Sequence, residues 1–238
     1  MPNPGDKIIV ALDTPSLQVA EKIIKDLEGI VSFYKVGFEL FTAHGWLAVE
    51  LVKKYGNRVF VDLKLHDIPN TVSKTMAVLC EHEIDMVTFH ASGGLEMMRK
   101  AAQTADERAK TGKHRPRMVG VTVLTSHSEE ELKSELGVSR SLNEQVTALA
   151  QLAHKAGLDG IVSSPQETGL LRKLLPKEFL MITPGVRPEN AEKSDQKRTF
   201  TPIQAVQAGA DFLVIGRPIT GAPKPRKQAE AIVKSLMS

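Results

Sequence analysis

Three ionisable residues, Asp62, Lys64 and Asp67, close a stretch that begins as a strand: Val59-Phe60-Val61-Asp62-Leu63-Lys64-Leu65-His66-Asp67-Ile68-Pro69-Asn70-Thr71-Val72. Side chains alternate along a strand, so Phe60, Asp62 and Lys64 share one face while Val61, Leu63 and Leu65 share the other. An Asp and a Lys side by side at the end of a buried strand are costly to desolvate unless paired. A structural ion pair would satisfy that demand. A second acid, Asp67, placed just where the strand breaks, points instead to chemistry. A protonated lysine between carboxylates suits a general acid, or an electrostatic partner for a carbanion. It does not suit a Schiff-base nucleophile, which needs a neutral amine.

Such residues need a frame that gathers strand ends. Short apolar runs recur at Lys7–Leu12, Phe33–Gly37, Arg58–Lys64, Met86–His90, Met118–Leu124, Gly160–Val162, Phe179–Thr183 and Phe212–Ile215. Between them lie amphipathic stretches such as Leu17–Leu27, Leu40–Tyr55, Val72–His82, Leu95–Lys110 and Leu142–Ala156. Strands alternating with helices predict a parallel sheet with a helical cover. Eight repeats in a chain of 238 residues favour a closed (β/α)8 TIM barrel over an open doubly wound sheet. No composition shift or linker divides the chain, so residues 1–238 are expected to form a single catalytic domain. Gly157 and Gly209 each stand just past a helical run, where a helix C-terminus favours glycine. Ser16 and Ser128 read as N-caps.

Barrel enzymes carry their chemistry at the carboxyl ends of the strands. The first strand ends in Asp13, the second in Lys35, and the third in Asp62 and Lys64 with Asp67 just beyond. The fourth ends in His90, the fifth in Thr125 and Ser126, and the sixth in Ser163 and Ser164. Thr183-Pro184-Gly185-Val186-Arg187 follows the seventh and Gly216-Arg217 the eighth. Asp13, Lys35, Asp62, Lys64 and Asp67 could form an alternating chain of charges, close to neutral as a whole and able to keep both lysines protonated. Gly216-Arg217 sits where barrels bind phosphate, the glycine allowing close backbone approach and the arginine offering two donors. The polar stretch from Pro184 to Arg198 has the length of a functional lid, in which Arg187 and Gln196 could add phosphate contacts.

Composition narrows the function class. With 42% apolar and 25% charged residues the chain suits a soluble protein with a large core, and a net charge of +3 predicts no nucleic-acid binding. Cys80 is the only cysteine, which excludes an intrachain disulfide and a cysteine-based zinc site. The polar, proline-containing start shows no signal peptide, and no apolar run reaches the ~18–20 residues of a membrane span. A cytoplasmic protein is expected. The seven histidines show no metal-ligand spacing, and there is no P-loop and no G-x-G-x-x-G after the first strand. Nothing in the pattern calls for a nucleotide cofactor or a metal.

The run Asp62-Leu63-Lys64-Leu65-His66-Asp67-Ile68-Pro69-Asn70-Thr71 closely resembles the orotidine 5′-phosphate decarboxylase family of bacterial type. Tyr34-Lys35-Val36-Gly37, Val121-Thr122-Val123-Leu124-Thr125-Ser126, Thr183-Pro184-Gly185-Val186-Arg187 and Asp195-Gln196-Lys197-Arg198 carry the same resemblance. It extends from Val10-Ala11-Leu12-Asp13 to Ile215-Gly216-Arg217-Pro218. The resemblance implies a cofactor-free carboxy-lyase of pyrimidine biosynthesis that converts orotidine 5′-monophosphate to UMP and carbon dioxide. Carried over by residue, Lys64 would donate a proton to C6 of the pyrimidine and Asp62 would lie beside the departing carboxylate. Asp13 and Lys35 would hold ribose hydroxyls, with Lys35 also in the charged network. Thr125 would meet the pyrimidine edge, and Arg187, Gln196, Gly216 and Arg217 would bind phosphate. Asp67, Ile68 and Thr71 would reach into the neighbouring subunit's site, which implies a homodimer with two shared active sites.

Two other readings stay open at this level. Magnesium-dependent sugar-phosphate decarboxylases and synthases of the same superfamily also carry D-x-K-x-x-D, although the extension His66–Thr71 and the segment around Gln196 favour the pyrimidine enzyme. A barrel that binds nucleotide without turnover would keep the phosphate cup but has no need of an intact Asp62, Lys64 and Asp67.

Overall fold

The computed structural model describes residues 4–187 and 200–237. Eight parallel strands close into a barrel in sequence order: β1 (Ile8–Ala11), β2 (Phe33–Gly37), β3 (Arg58–Leu65), β4 (Met86–His90), β5 (Arg117–Val121), β6 (Gly160–Val162), β7 (Leu180–Pro184) and β8 (Phe212–Ile215). The ring closes where β1 pairs with β8, Ile9 opposite Val214. Helices α1 (Leu17–Asp26), α2 (Phe38–His44), α3 (Trp46–Lys54), α4 (Pro69–Glu81) and α5 (Leu95–Lys110) accompany the first half. The second half carries α6 (Glu129–Ser134), α7 (Leu142–Lys155), α8 (Pro165–Leu174), α9 (Pro202–Gln207), α10 (Arg217–Thr220) and α11 (Pro225–Ser235). None of the described helices is long and apolar enough to cross a membrane.

All eight expected strands are present, with ends displaced by a few residues at most. The N-caps hold as well. Ser16 accepts from the Val19 N–H, and Ser128 forms a capping box with Glu131 at the start of α6. The stretch Leu40–Tyr55, expected as one helix, is two. Gly45 adopts φ +55°, ψ −133° between α2 and α3, a conformation open to glycine but costly for other residues.

Strand alternation divides the core in two. One side of the wall packs against the helices through residues such as Val10, Tyr34, Val61 and Phe89. The other side fills the barrel with Ile9, Phe33, Phe60, Met86, Val119, Ile182 and Phe212. Phe33 meets Phe212 edge to face with centroids 5.9 Å apart. Each fully buried side chain of this size contributes roughly 1.5–3 kcal/mol, so the plug is a firm floor. Two residues further along β2, β3 and β4 the same inward face presents Lys35, Asp62 and Thr88. The polar groups therefore rest directly on an apolar floor.

At the opposite, amino end an aspartate recurs one residue ahead of a strand. Asp85, Asp159 and Asp211 accept from the N–H of Val59, Met118 and Met181, at 2.8, 2.7 and 2.8 Å. Each aspartate's own N–H donates to the carbonyl of the same partner. These two-point clamps tie β3 to β4, β5 to β6 and β7 to β8. Asp159 also takes two bonds from Arg115 at 2.9 and 3.0 Å. Replacing Asp159 with alanine leaves the N–H of buried Met118 without its acceptor, a change worth about 1–3 kcal/mol. Urea unfolding of Asp159→Ala should show a loss of that size, and Asp159→Asn, which keeps an oxygen acceptor, a smaller one.

Candidate active site

Four of the five expected charges meet at the barrel mouth. Lys35 Nζ lies 3.0 Å from Asp13 Oδ1 and 3.5 Å from Asp62 Oδ2, and Lys64 Nζ lies 3.0 Å from Asp62 Oδ1. The order is acid, base, acid, base across β1, β2 and β3. Asp62 is the shared member, one oxygen to each lysine. Lys35 and Asp62 are largely buried, with side-chain exposures of 11% and 13%, whereas Lys64 (25%) and Asp13 (55%) open towards solvent.

Local backbone geometry makes these contacts possible. Lys64 sits at φ +46°, a left-handed conformation in a residue that carries a side chain. Regular register between β3 and β4 is lost between Val61 and Leu65, so Asp62 and Lys64 occupy an irregular stretch at the strand end. Gly37, at the end of β2, leaves the space Lys35 uses: a Cβ there would stand 2.7 Å from Lys35 Nζ. Burial pushes the Asp62 carboxyl up, but the neighbouring Lys35 and Lys64 ammonium groups, with hydrogen bonds from Lys64 and Thr88, outweigh it. The net effect holds Asp62 below its ordinary value. His90 is pushed below its ordinary value by burial and then by His66 and Lys64, against an opposing pull from Asp62.

The fifth charge is elsewhere. Asp67, expected in the same chain of charges, is exposed after the strand has ended, and its Oδ1 accepts from the N–H of Ile68 at 2.6 Å. It is not part of the network: the strand has ended at Leu65, α4 begins at Pro69, and Asp67 lies in the bend between them. Ile68 is 66% exposed beside it, and Thr71 is exposed on the first turn of α4. Thr125 stands exposed in the turn after β5. Gly216 caps α10, and a Cβ at that position would lie 3.4 Å from Asp13 Oδ2, so barrel closure sets the Gly216-Arg217 pair beside the charged chain. Arg187 is mostly buried, and its N–H bonds the Phe200 carbonyl at 2.9 Å next to a Val186–Phe200 bridge. Gln196 lies outside the described residues.

Two contributors escaped the sequence reading. Phe38, 56% exposed, holds its ring centroid 5.4 Å from Lys64 Nζ, a cation–π contact. Thr88, fully buried on β4, bonds both the Lys64 backbone and the Asp62 carboxylate. An aromatic directly after Tyr-Lys-Val-Gly and a hydroxyl inside an apolar strand were the available signals.

The depressed Asp62 acid links site and stability. Its native value lies below the ordinary 3.8, so its stabilising contribution is present in full above that pH. It is lost as the pH falls through the lower native value. At pH 7, Asp62→Asn leaves two ammonium groups facing one amide and should cost about 3 kcal/mol, the low end for breaking a buried pair because the mouth is open to water. Unfolding free energies measured from pH 7 to pH 3 should show the gap between wild type and variant closing at the acid end.

The family model for the orotidine 5′-phosphate decarboxylase / HUMPS family matches residues 6–232. An orotidine 5′-phosphate decarboxylase of Moorella thermoacetica is 47% identical over 232 residues, covering 97% of this chain and 92% of the relative. A protein of the same name from Geotalea uraniireducens is 47% identical over 232 residues, covering 98% and 95%. Among solved structures, the orotidine 5′-phosphate decarboxylase of Lactobacillus acidophilus superposes with a TM-score of 0.86 at 35% identity, over 98% of this chain and 100% of that one. With its closed barrel and the four-charge mouth built on β1, β2 and β3, the chain belongs to the orotidine 5′-phosphate decarboxylase / HUMPS family, with the bacterial-type orotidine 5′-phosphate decarboxylases.

Proposed function

We propose that the four-charge chain is the catalytic centre of an orotidine 5′-monophosphate decarboxylase in which Lys64 protonates C6. The overall reaction converts orotidine 5′-monophosphate to UMP and carbon dioxide in pyrimidine biosynthesis. The observation that carries the proposal is Asp62 shared between Lys35 and Lys64 on the apolar floor. When the bond from C6 to the carboxylate breaks, its electron pair stays on C6 in the ring plane, out of reach of the π system. The Lys64 ammonium faces that charge, donates a proton to C6 and later regains one from solvent. Donors fixed in advance, against charge that develops only in the transition state, are what raise a rate. Enzymes remove ~8–23 kcal/mol of barrier, and a carbanion without π delocalisation asks for the upper part of that range.

The remaining residues divide the substrate between them. Asp62 would lie beside the departing carboxylate, and Asp13 and Lys35 would hold ribose hydroxyls. Thr125 would meet the pyrimidine edge. Gly216, Arg217, Arg187 and Gln196 would take the phosphate, whose binding energy can be used at the reacting carbon. The chemistry written here requires no cofactor. Outward-facing Asp67, Ile68 and Thr71 support a homodimer in which each subunit completes its neighbour's site. The chain acts as one catalytic domain, and its single buried Cys80 fits a reducing, cytoplasmic setting.

Loss of orotidine monophosphate absorbance in the presence of EDTA tests the reaction. Wild type should turn over unaffected by the chelator, while Lys64→Ala should be slower by at least about 10²–10⁴-fold, the usual worth of a positioned acid. A wild type that needs magnesium and acts on sugar phosphates would overturn the assignment. Asp67→Ala should be nearly inactive alone. Mixed with Lys64→Ala under subunit exchange, half the dimers would be hybrids with one intact site, giving about a quarter of wild-type activity. No recovery despite proven exchange would sink the shared site.

A further inference from the structure

We infer that Thr88 is a positioning residue, whose hydroxyl holds the Asp62 carboxylate and the Lys64 backbone in the geometry the reaction uses. The inference rests on the roles proposed above for Asp62 and Lys64. It begins with strand register. Val61 pairs with Val87 and Leu65 with Phe89, so β3 spends four residues where β4 spends two. The surplus is even, and inward and outward faces therefore remain in step on either side of it. Asp62, Leu63 and Lys64 all fall opposite Thr88, and a single strand residue cannot supply ladder partners for three.

The Thr88 side chain fills the gap. Lys64 N–H donates to Thr88 Oγ1 at 2.8 Å, and Thr88 Oγ1 donates to Asp62 Oδ1 at 2.9 Å. The same Oδ1 takes Lys64 Nζ at 3.0 Å. A closed circuit results, from the Lys64 backbone through the hydroxyl and carboxylate to the Lys64 ammonium. The incoming N–H occupies a hydroxyl lone pair, so the proton is free to point only at Asp62. Thr88 is 0% exposed, so bulk solvent does not compete for its hydroxyl. Its branched Cβ limits χ1, and the hydroxyl is pinned by packing as well as by bonding. With Oδ1 turned to Thr88 and Lys64, Oδ2 is left for Lys35 at 3.5 Å. The unfavourable backbone of Lys64, φ +46°, is held by the same bond.

Removing the hydroxyl without changing the volume tests this. In Thr88→Val the Lys64 N–H loses its acceptor and Asp62 loses a donor. The carboxylate becomes easier to protonate, with Lys35, Lys64 and His90 as the charged or titratable groups still facing it and Asp13 one step further along the chain. We expect kcat per folded site to fall about 10- to 100-fold, the size of effect that follows from small misplacement of a reacting group. KM, set by remote contacts, should stay within about threefold. The acid limb of the kcat profile should move to higher pH, and Thr88→Ser should restore both rate and profile. A purely structural threonine would lower the melting temperature and leave kcat and the acid limb of the folded enzyme untouched, and that result would overturn the inference. Should Thr88→Val not fold, Thr88→Ala against Thr88→Ser provides the same comparison. Lys64→Ala, assayed alongside, separates the levels: an active Lys64→Ala refutes the site itself, whereas an inactive Lys64→Ala with a normal Thr88→Val refutes only the positioning role.

Discussion

Asp62 must satisfy two lysines at once, and much of the barrel mouth follows from that demand. At 3–3.5 Å and the effective dielectric of a partly open site, each contact is worth on the order of 5 kcal/mol of Coulomb attraction. Desolvation costs several kcal/mol per buried ion, so the two effects nearly offset. The network therefore contributes little to net stability. Its consequence is orientation, since Asp62 can satisfy both lysines only with one oxygen turned to each. The glycine at the end of β2, the left-handed Lys64 and the hydroxyl on β4 all serve that single orientation.

The fold was readable in the sequence because its signal is local. Eight apolar runs separated by helical patterns, with caps at Ser16 and Ser128, are properties of neighbouring residues, and the barrel follows from their number and spacing. Gly45 shows the limit of such reading. The apolar pattern runs on through Leu40–Tyr55, and only the backbone angle at one residue divides it. The charged residues were equally legible on β3, where alternation alone predicts that Asp62 and Lys64 share a face. Asp67 was grouped with them because it follows so closely on the strand, but beyond the strand end its carboxylate turns to the N–H of Ile68.

Thr88 belongs to a different class of information. Its sequence neighbours, Met86-Val87-Thr88-Phe89-His90, describe a buried strand with one polar interruption and nothing more. Its partner is set by a register shift between two strands, and periodicity within either strand does not encode how many residues the other spends. Phe38 is hidden for a related reason. An exposed aromatic reads as an accident of the surface until the Lys64 ammonium is seen over its ring.

The same distinction separates the two sides of the mouth. Charge is concentrated on β1, β2 and β3, while the candidate phosphate groups follow β7 and β8, far away in sequence. They become neighbours only because β8 closes onto β1. Gly216 then lies where a side chain would touch Asp13, the first member of the charged chain. Below the mouth, the aromatic plug packs the walls together and the aspartate clamps tie neighbouring strands in pairs. On the proposed roles, a phosphate beside Gly216 and Arg217 would be held relative to Lys64 by the ring of strands itself. Binding energy gained at one rim can reach the reacting carbon as position rather than as movement. For a reaction whose transition-state charge cannot spread through the ring, such a frame would let a preset ammonium at Lys64 act without first reorganising.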